Sequence, residues 1–151
     1  MGTEIWHLET DASLNPSRAR NGLPFAGGGV VLRDPRLQLK LTRGVQLGYF
    51  PSATHAEYAA LLCGLEIALA EGVRAIFIRT DNRLLVEQYT GTWRVRSAGL
   101  PELLAKLRDL AGRFDSFELR WAPSSHRGTR WDGAPTADAL ARRAAGLGAK
   151  R

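Results

Sequence analysis

The sequence predicts an α/β fold in which helices cover a mixed sheet. Two observations carry this expectation. Apolar runs of strand length alternate with runs at helical spacing, in the order βββαβααβα. The second and third strands join through a turn-forming pair ahead of the helices, whereas the later two strands are reached across helices. Hairpins and crossovers then meet in one sheet.

The elements follow in order. Ile5 to Asp11 reads as a first strand. Gly28 to Arg33 and Leu37 to Phe50 read as two more, joined at the turn-forming pair Asp34-Pro35. A long helix spans about His55 to Ala70, apolar on nearly every side and therefore deeply packed. Ala75 to Thr80, apolar through Ile78, suits a central strand buried on both faces. Arg83 to Tyr89 is a short helix. Leu100, Leu103, Leu104, Leu107, Leu110 and Ala111 recur at helical spacing, with Pro101 in the first turn. Phe117 to Ala122 alternates as a last strand, and Ala137 to Ala145 forms a final helix. No internal repeat and no linker divides the 151 residues, so residues 1–151 are expected to form one domain with a full core.

Composition narrows the function classes. Hydrophobic residues make up 44%, an ordinary globular share. The longest apolar stretch, Tyr58 to Ala70, is interrupted by Gly64 and Glu66 and is too short for a bilayer. Residues 1–8 lack the basic-then-apolar pattern of a secretory leader. The single cysteine, Cys63, cannot form an internal disulfide and is expected to be a buried free thiol. A reduced, cytoplasmic setting away from membranes is the expectation. The net charge is +6 and the pI about 10.2. Arginines cluster at 94 and 96, 127 and 130, and 142 and 143, which suits a polyanionic partner. A solvated arginine-rich surface explains the same composition, since 18 of the 21 basic residues are arginine.

Four acids occupy related places. Asp11 ends the first strand, Glu57 opens the long helix, Asp81 ends the central strand, and Asp138 begins the last helix. In an α/β sheet, strand ends and adjacent helix starts meet at one edge, where sites form. Carboxylates converging there repel one another unless cations lie between them, and hard divalent ions such as Mg²⁺ take oxygen ligands. Each acid also has a local explanation. Thr54-x-x-Glu57 matches a capping box, Asp81 could cap the next helix, Asp138 could complement a helix dipole, and Asp11 could make a turn.

Thr10-Asp11-Ala12-Ser13, the glycine-led Gly27-Gly28-Gly29-Val30-Val31-Leu32, and His55-Ala56-Glu57-Tyr58-Ala59-Ala60-Leu61 occur in this order. Thr80-Asp81-Asn82 with Leu85-Val86, the stretch Trp121 to His126 with Gly128, and Ala137-Asp138-Ala139-Leu140-Ala141 follow. Together these words resemble type 1 ribonuclease H, over nearly the whole chain. The resemblance implies a five-stranded mixed sheet in strand order 3-2-1-4-5, flanked by helices. It implies a metal-dependent endonuclease that hydrolyses the RNA strand of an RNA–DNA hybrid, acts as a monomer, and leaves 5′-phosphate ends. Two Mg²⁺ ions, with Mn²⁺ as a substitute, would be held by Asp11, Glu57, Asp81 and Asp138, with Asp11 bridging both. His126 would assist proton transfer or product departure. Phosphates would be met by basic groups such as Arg94 and Arg127. Ser13, Asn15 and Asn82 are the candidates for contacts to 2′-hydroxyls. Trp93, in Gly91-Thr92-Trp93-Arg94-Val95, could pack on a deoxyribose or equally serve as a core residue.

Some positions depart from the family pattern. Ser52-Ala53-Thr54 stands where many relatives have Thr-Asn-Asn, and Ala134 replaces an asparagine often found four residues before the last aspartate. Leu14 to Phe25 is longer than usual between the first two strands, and His126 to Asp138 is a long loop in which Asp132 rivals Asp138 as the fourth ligand. There is no room between Tyr89 and Pro101 for the basic protrusion of some members, and no hybrid-binding module is expected before Ile5. Two alternatives follow. One is a catalytically weak ribonuclease H-like module that binds nucleic acid. The other, a nucleotide-binding α/β protein, lacks its phosphate loop: Gly27-Gly28-Gly29 precedes a strand, and no Gly-Lys-Ser/Thr follows.

Overall fold

The computed structural model describes residues 4–123 and 132–148. Three strands come first, β1 (Ile5–Arg20), β2 (Leu23–Arg33) and β3 (Leu39–Tyr49). They are followed by α1 (Ala53–Ala70), β4 (Ala75–Thr80), α2 (Arg83–Thr90), α3 (Leu100–Ala111), β5 (Ser116–Trp121) and α4 (Ala137–Ala144). The strands form one sheet in the order β3-β2-β1-β4-β5. β1–β2 and β2–β3 are antiparallel, and β1–β4 and β4–β5 are parallel. The expected mixed sheet and its strand order are therefore both present.

The first strand is more than twice its expected length. β1 and β2 continue as a twisted ribbon to a tight turn at Asn21 (φ 53°) and Gly22 (φ 79°), closed by the pair Arg20↔Leu23. Two successive left-handed residues define the hairpin turn whose twist matches that of the strands, and Asn-Gly is its preferred sequence. The stretch expected as a long loop is thus a hairpin, with a register shift between Asn15 and Arg20. Arg18 and Arg20 stack over Phe25 and Tyr49, at 4.1 and 5.1 Å from the ring centroids.

One face of the sheet carries the main core. Leu8, Val30, Leu32, Ile76 and Ile78 pack against Tyr58, Leu61 and Leu65 of α1, with Leu85 of α2 and Leu107 of α3 behind them. The other face is covered by α4, over a small cluster of Val31, Ala137 and Leu140. Phe77 is only half-buried and Arg79 is exposed, which corrects the expectation that β4 is buried on both faces. Cys63 is likewise half-buried rather than buried. Among the described residues, no helix is long and apolar enough to cross a membrane.

Glycines let α4 lie directly on the β2 backbone. A Cβ on Gly29 would come within 1.9 Å of the Ala137 carbonyl oxygen, and one on Gly27 within 2.4 Å of the Ala141 carbonyl oxygen. Gly28 points to the opposite face, where a Cβ would meet the flexible end of Leu47 at 3.0 Å. Gly29→Ala should therefore lift the start of α4 and destabilise the protein by more than about 2 kcal/mol, whereas Gly28→Ala should cost under about 1 kcal/mol. Denaturant unfolding of the two variants checks the ranking, and equal losses would contradict the seat.

Candidate active site

The site forms where β1 and β4 part. Their parallel pairing ends at Glu9↔Arg79, while β1 continues along β2 through Asp11↔Gly29 and beyond. Asp11 therefore lies inside a strand, not at its end, but at the end of the parallel ladder. A cleft opens there, lined by Asp11, Thr80, Asp81, Ala122, Thr136 and Asp138 among others. Asp81 follows the last residue of β4, and Glu57 enters from the first turns of α1.

Asp11, Glu57 and Asp81 each bring a carboxylate oxygen within 4.8 Å of the other two. Asp11 and Glu57 are both 6% exposed, and among the described residues neither accepts a hydrogen bond from Arg or Lys. The Ala12 amide donates to Asp11 Oδ1 at 2.8 Å and to Glu57 Oε1 at 3.0 Å. Glu57 Oε2 is buried with no partner; among the described residues only Thr10 Oγ1 shares that state. Burial pushes Asp11 up to about 7, with repulsion from Asp81 and Asp138 adding to it. Burial, followed by the charge of Asp11, holds Glu57 well above the usual carboxylate range.

The capping explanations of Glu57 and Asp81 do not hold. Ser52 caps α1, accepting from the His55 amide, so Glu57 is not the return arm of a capping box. Asn82 caps α2 through the Leu85 amide at 2.9 Å, leaving Asp81 without a capping role. Thr136 caps α4 through the Ala139 amide at 3.1 Å. Asp138 lies in the first turn of α4, lines the same cleft, and raises Asp11 through its charge. Asp132 faces elsewhere. Both of its oxygens are engaged by the Arg33 guanidinium, Nη2 to Oδ1 at 3.1 Å, and that contact lowers its carboxyl to about 2. Of the two rivals, only Asp138 is at the cleft.

The remaining candidates separate. Ser13 is half-buried on β1, two residues beyond Asp11. Asn15 is 4% exposed, and its amide is spent inside the protein: Nδ2 donates to the Ala145 carbonyl at 2.9 Å and Oδ1 accepts from the Ser17 amide at 3.0 Å. The structure makes Asn15 a strut to the C-terminal end of α4, which corrects its assignment as a nucleic-acid contact. Asn82 uses its oxygen as a cap and keeps Nδ2 near Thr54 Oγ1 at 3.5 Å. Trp93 is 43% exposed, with the Arg83 guanidinium 5.7 Å from its ring centroid, so it is not a core tryptophan. Arg94 is exposed beside it. His126 and Arg127 lie outside the described residues. Trp121, not singled out from the sequence, donates from Nε1 to the Asp81 carbonyl at 3.1 Å and so fixes the backbone of that acid.

A family model described as reverse transcriptase-like matches residues 17–144. The chain belongs to the type 1 ribonuclease H family. Ribonuclease HI of Halobacterium salinarum is 35% identical over 68 residues, 45% of this chain and 34% of that protein. The bifunctional protein Rv2228c of Mycobacterium tuberculosis is 34% identical over 68 residues, again 45% of this chain but 19% of the relative. The matched stretch thus spans about a third or less of these curated relatives. Solved structures agree over almost the whole fold. RNase H1 of Halobacterium salinarum superposes with a TM-score of 0.76 at 28% identity, covering 93% of this chain and 96% of that one. LC11-RNase H1 in complex with an RNA/DNA hybrid gives 0.71 at 25% identity, covering 91% and 94%.

The donor set suits a hard divalent cation. Only oxygens are offered, they repel one another when ionised, and one buried carboxylate oxygen has no partner within the protein. The raised carboxyls also set the sign of a pH effect. Without metal, the folded protein holds protons on Asp11 and Glu57 that the unfolded chain releases near pH 4. The Asp11 share of this stabilisation is complete below that pH and is lost as pH rises through about 7, and the Glu57 share is lost well above the usual carboxylate range. The metal-free protein should lose several degrees of Tm between pH 5 and 8 relative to Asp11→Asn, and millimolar Mg²⁺ should restore most of it at pH 8. Parallel Tm–pH curves for wild type and Asp11→Asn would contradict the buried carboxyl pair.

Proposed function

We propose that this ribonuclease H family member is an endoribonuclease that hydrolyses the RNA strand of RNA–DNA hybrids with two divalent cations. The observation that carries the reading is the cluster of Asp11, Glu57 and Asp81, the first two buried and, among the described residues, none ion-paired with a basic side chain, at the mouth of the cleft that Asp138 also lines. Membership of the family, and a relative solved with an RNA/DNA hybrid, support the choice of substrate. Asp11, Glu57, Asp81 and Asp138 would hold the cations, Mg²⁺ by preference and Mn²⁺ as a substitute. When bound, the cations supply activation of a water for attack and neutralisation of the leaving 3′ oxygen.

The chain's own groups prepare that chemistry. The Ala12 amide holds the Asp11 and Glu57 carboxylates side by side. Trp121 and the Asn82 cap fix the backbone at the Asp81 carbonyl and just after it. The glycine seat on β2 sets the height of Asp138 over the cleft. Ser13 and Asn82, flanking the acids, are proposed to meet 2′-hydroxyls, while Trp93 with Arg94 and Arg127 would meet the backbone of the duplex. His126 would ease proton transfer or product departure.

Cleavage of a labelled hybrid tests the reading. With Mg²⁺ or Mn²⁺ the protein should cut the RNA strand internally and leave 5′-phosphate and 3′-hydroxyl ends. Asp81→Asn should fold normally and lose several orders of magnitude in rate. Hybrid binding without cleavage, from folded protein with either ion, would replace the enzyme by a binding module.

The fourth ligand is tested separately. Asp138→Asn should lower cleavage by at least about 10²-fold, a loss of the size seen when one stabilising group is removed, whereas Asp132→Asn should lower stability more than rate. The reverse ranking would move the site to the Arg33 side of the sheet.

A further inference from the structure

We infer that α1 is the mount for residues 91–99, which connect α2 to α3, and that His55 is the positioning residue that fixes them to face a duplex. The inference rests on the proposed nucleic-acid role of Trp93 and Arg94 and concerns what holds them in place.

Residues 91–99 contain little regular structure, yet Trp93, Arg94 and Arg96 all stand exposed along them. Their first half is tied to α2, since the Thr92 and Trp93 amides both donate to the Glu87 carbonyl, at 2.9 and 3.1 Å. Both ends of the connector are then held from α1, by side chains three residues apart that flank Glu57. At one end, the fully buried Tyr58 hydroxyl donates to Gln88 Oε1 at 2.7 Å, in the last turn of α2. At the other, His55 Nε2 lies 2.7 Å from the Ala98 carbonyl oxygen, immediately before α3.

The partners of His55 fix its tautomer. A carbonyl can only accept, so Nε2 carries the proton. In the neutral imidazole, Nδ1, at 2.6 Å from Ser52 Oγ, is then the acceptor and the serine hydroxyl the donor. The same Ser52 oxygen accepts the His55 amide as the cap of α1. Every polar atom of a side chain that is 7% exposed is therefore committed. Gly99 supplies the left-handed turn (φ +86°) into α3 beside the ring, where a Cβ would make ordinary contact at 3.6 Å from Nε2. The helix that carries Glu57 thus also sets the position of the connector, which couples the distance between the acids and the Trp93–Arg94 edge. A surface-facing segment that is pre-positioned in this way loses less freedom when it binds.

Two isosteric halves of histidine separate this role from a merely structural one. His55→Gln keeps an N–H at the ε position for the Ala98 carbonyl. His55→Asn keeps the group facing Ser52 but cannot reach Ala98. In the free protein, amide hydrogen exchange at 94–98 should quicken about tenfold in His55→Asn and stay near wild type in His55→Gln, as expected for loss of one buried hydrogen bond. On a labelled hybrid, His55→Asn should raise KM about tenfold with kcat within about threefold, and His55→Gln should recover most of the loss. Equal exchange in the two variants, or a fall in kcat with KM unmoved in His55→Asn, would overturn the inference. If the wild-type protein neither binds nor cuts a hybrid, the proposed function fails, and the exchange measurement still decides the mount.

Discussion

The Ala12 amide donates to two carboxylates at once, and the molecule's site is built around that shared bond. Placing Asp11 and Glu57 together under a single N–H, out of water, costs free energy. Desolvation opposes both charges and each opposes the other. The folded protein meets that cost by holding protons there, and a bound cation would offset it in the same way. A stability-minded sequence would put an arginine in this place, as it does for Asp132 with Arg33. Its absence makes the cluster expensive in isolation, and strain of this kind concentrates at functional sites.

Backbone geometry delivers the other acids. The parallel ladder between β1 and β4 stops at Glu9↔Arg79, and the opening beyond it receives Asp81. Asp138 comes from the opposite face, and reaches the same cleft only because α4 rests on glycine backbone. Ala137, at its first position, lies over Gly29, which is paired with Asp11. Asn15 and Arg18 tie the far end of α4 to the β1–β2 ribbon through the Ala145 carbonyl, at 2.9 and 3.3 Å. The long hairpin therefore braces the helix that carries the fourth acid.

Much of this was legible in the sequence. Apolar runs and their spacing placed the nine elements of the described residues, because both report which segments meet the core. The four acids were legible through their words and order. What was missed is local and side-chain specific. Asn21-Gly22 is a hairpin signal in its own right, yet the polar, arginine-bearing ribbon around it lacks the apolar alternation of a strand, since its residues are largely exposed. Asn15 beside the acids reads as a ligand contact, and only the docking of α4 shows that it points inward. Asp132 and Asp138 could not be ranked by spacing. The partner that removes Asp132, Arg33, is 99 residues away in sequence.

The central claim is that Asp11, Glu57 and Asp81 form a seat for divalent cations at the β1–β4 opening. Anomalous diffraction from crystals soaked in Mn²⁺ tests it most directly. The account predicts a strong peak bounded by the carboxylates of these three residues, absent in crystals of Asp81→Asn. Crystals with no peak there, or with their strongest peak beside Asp132, would contradict it.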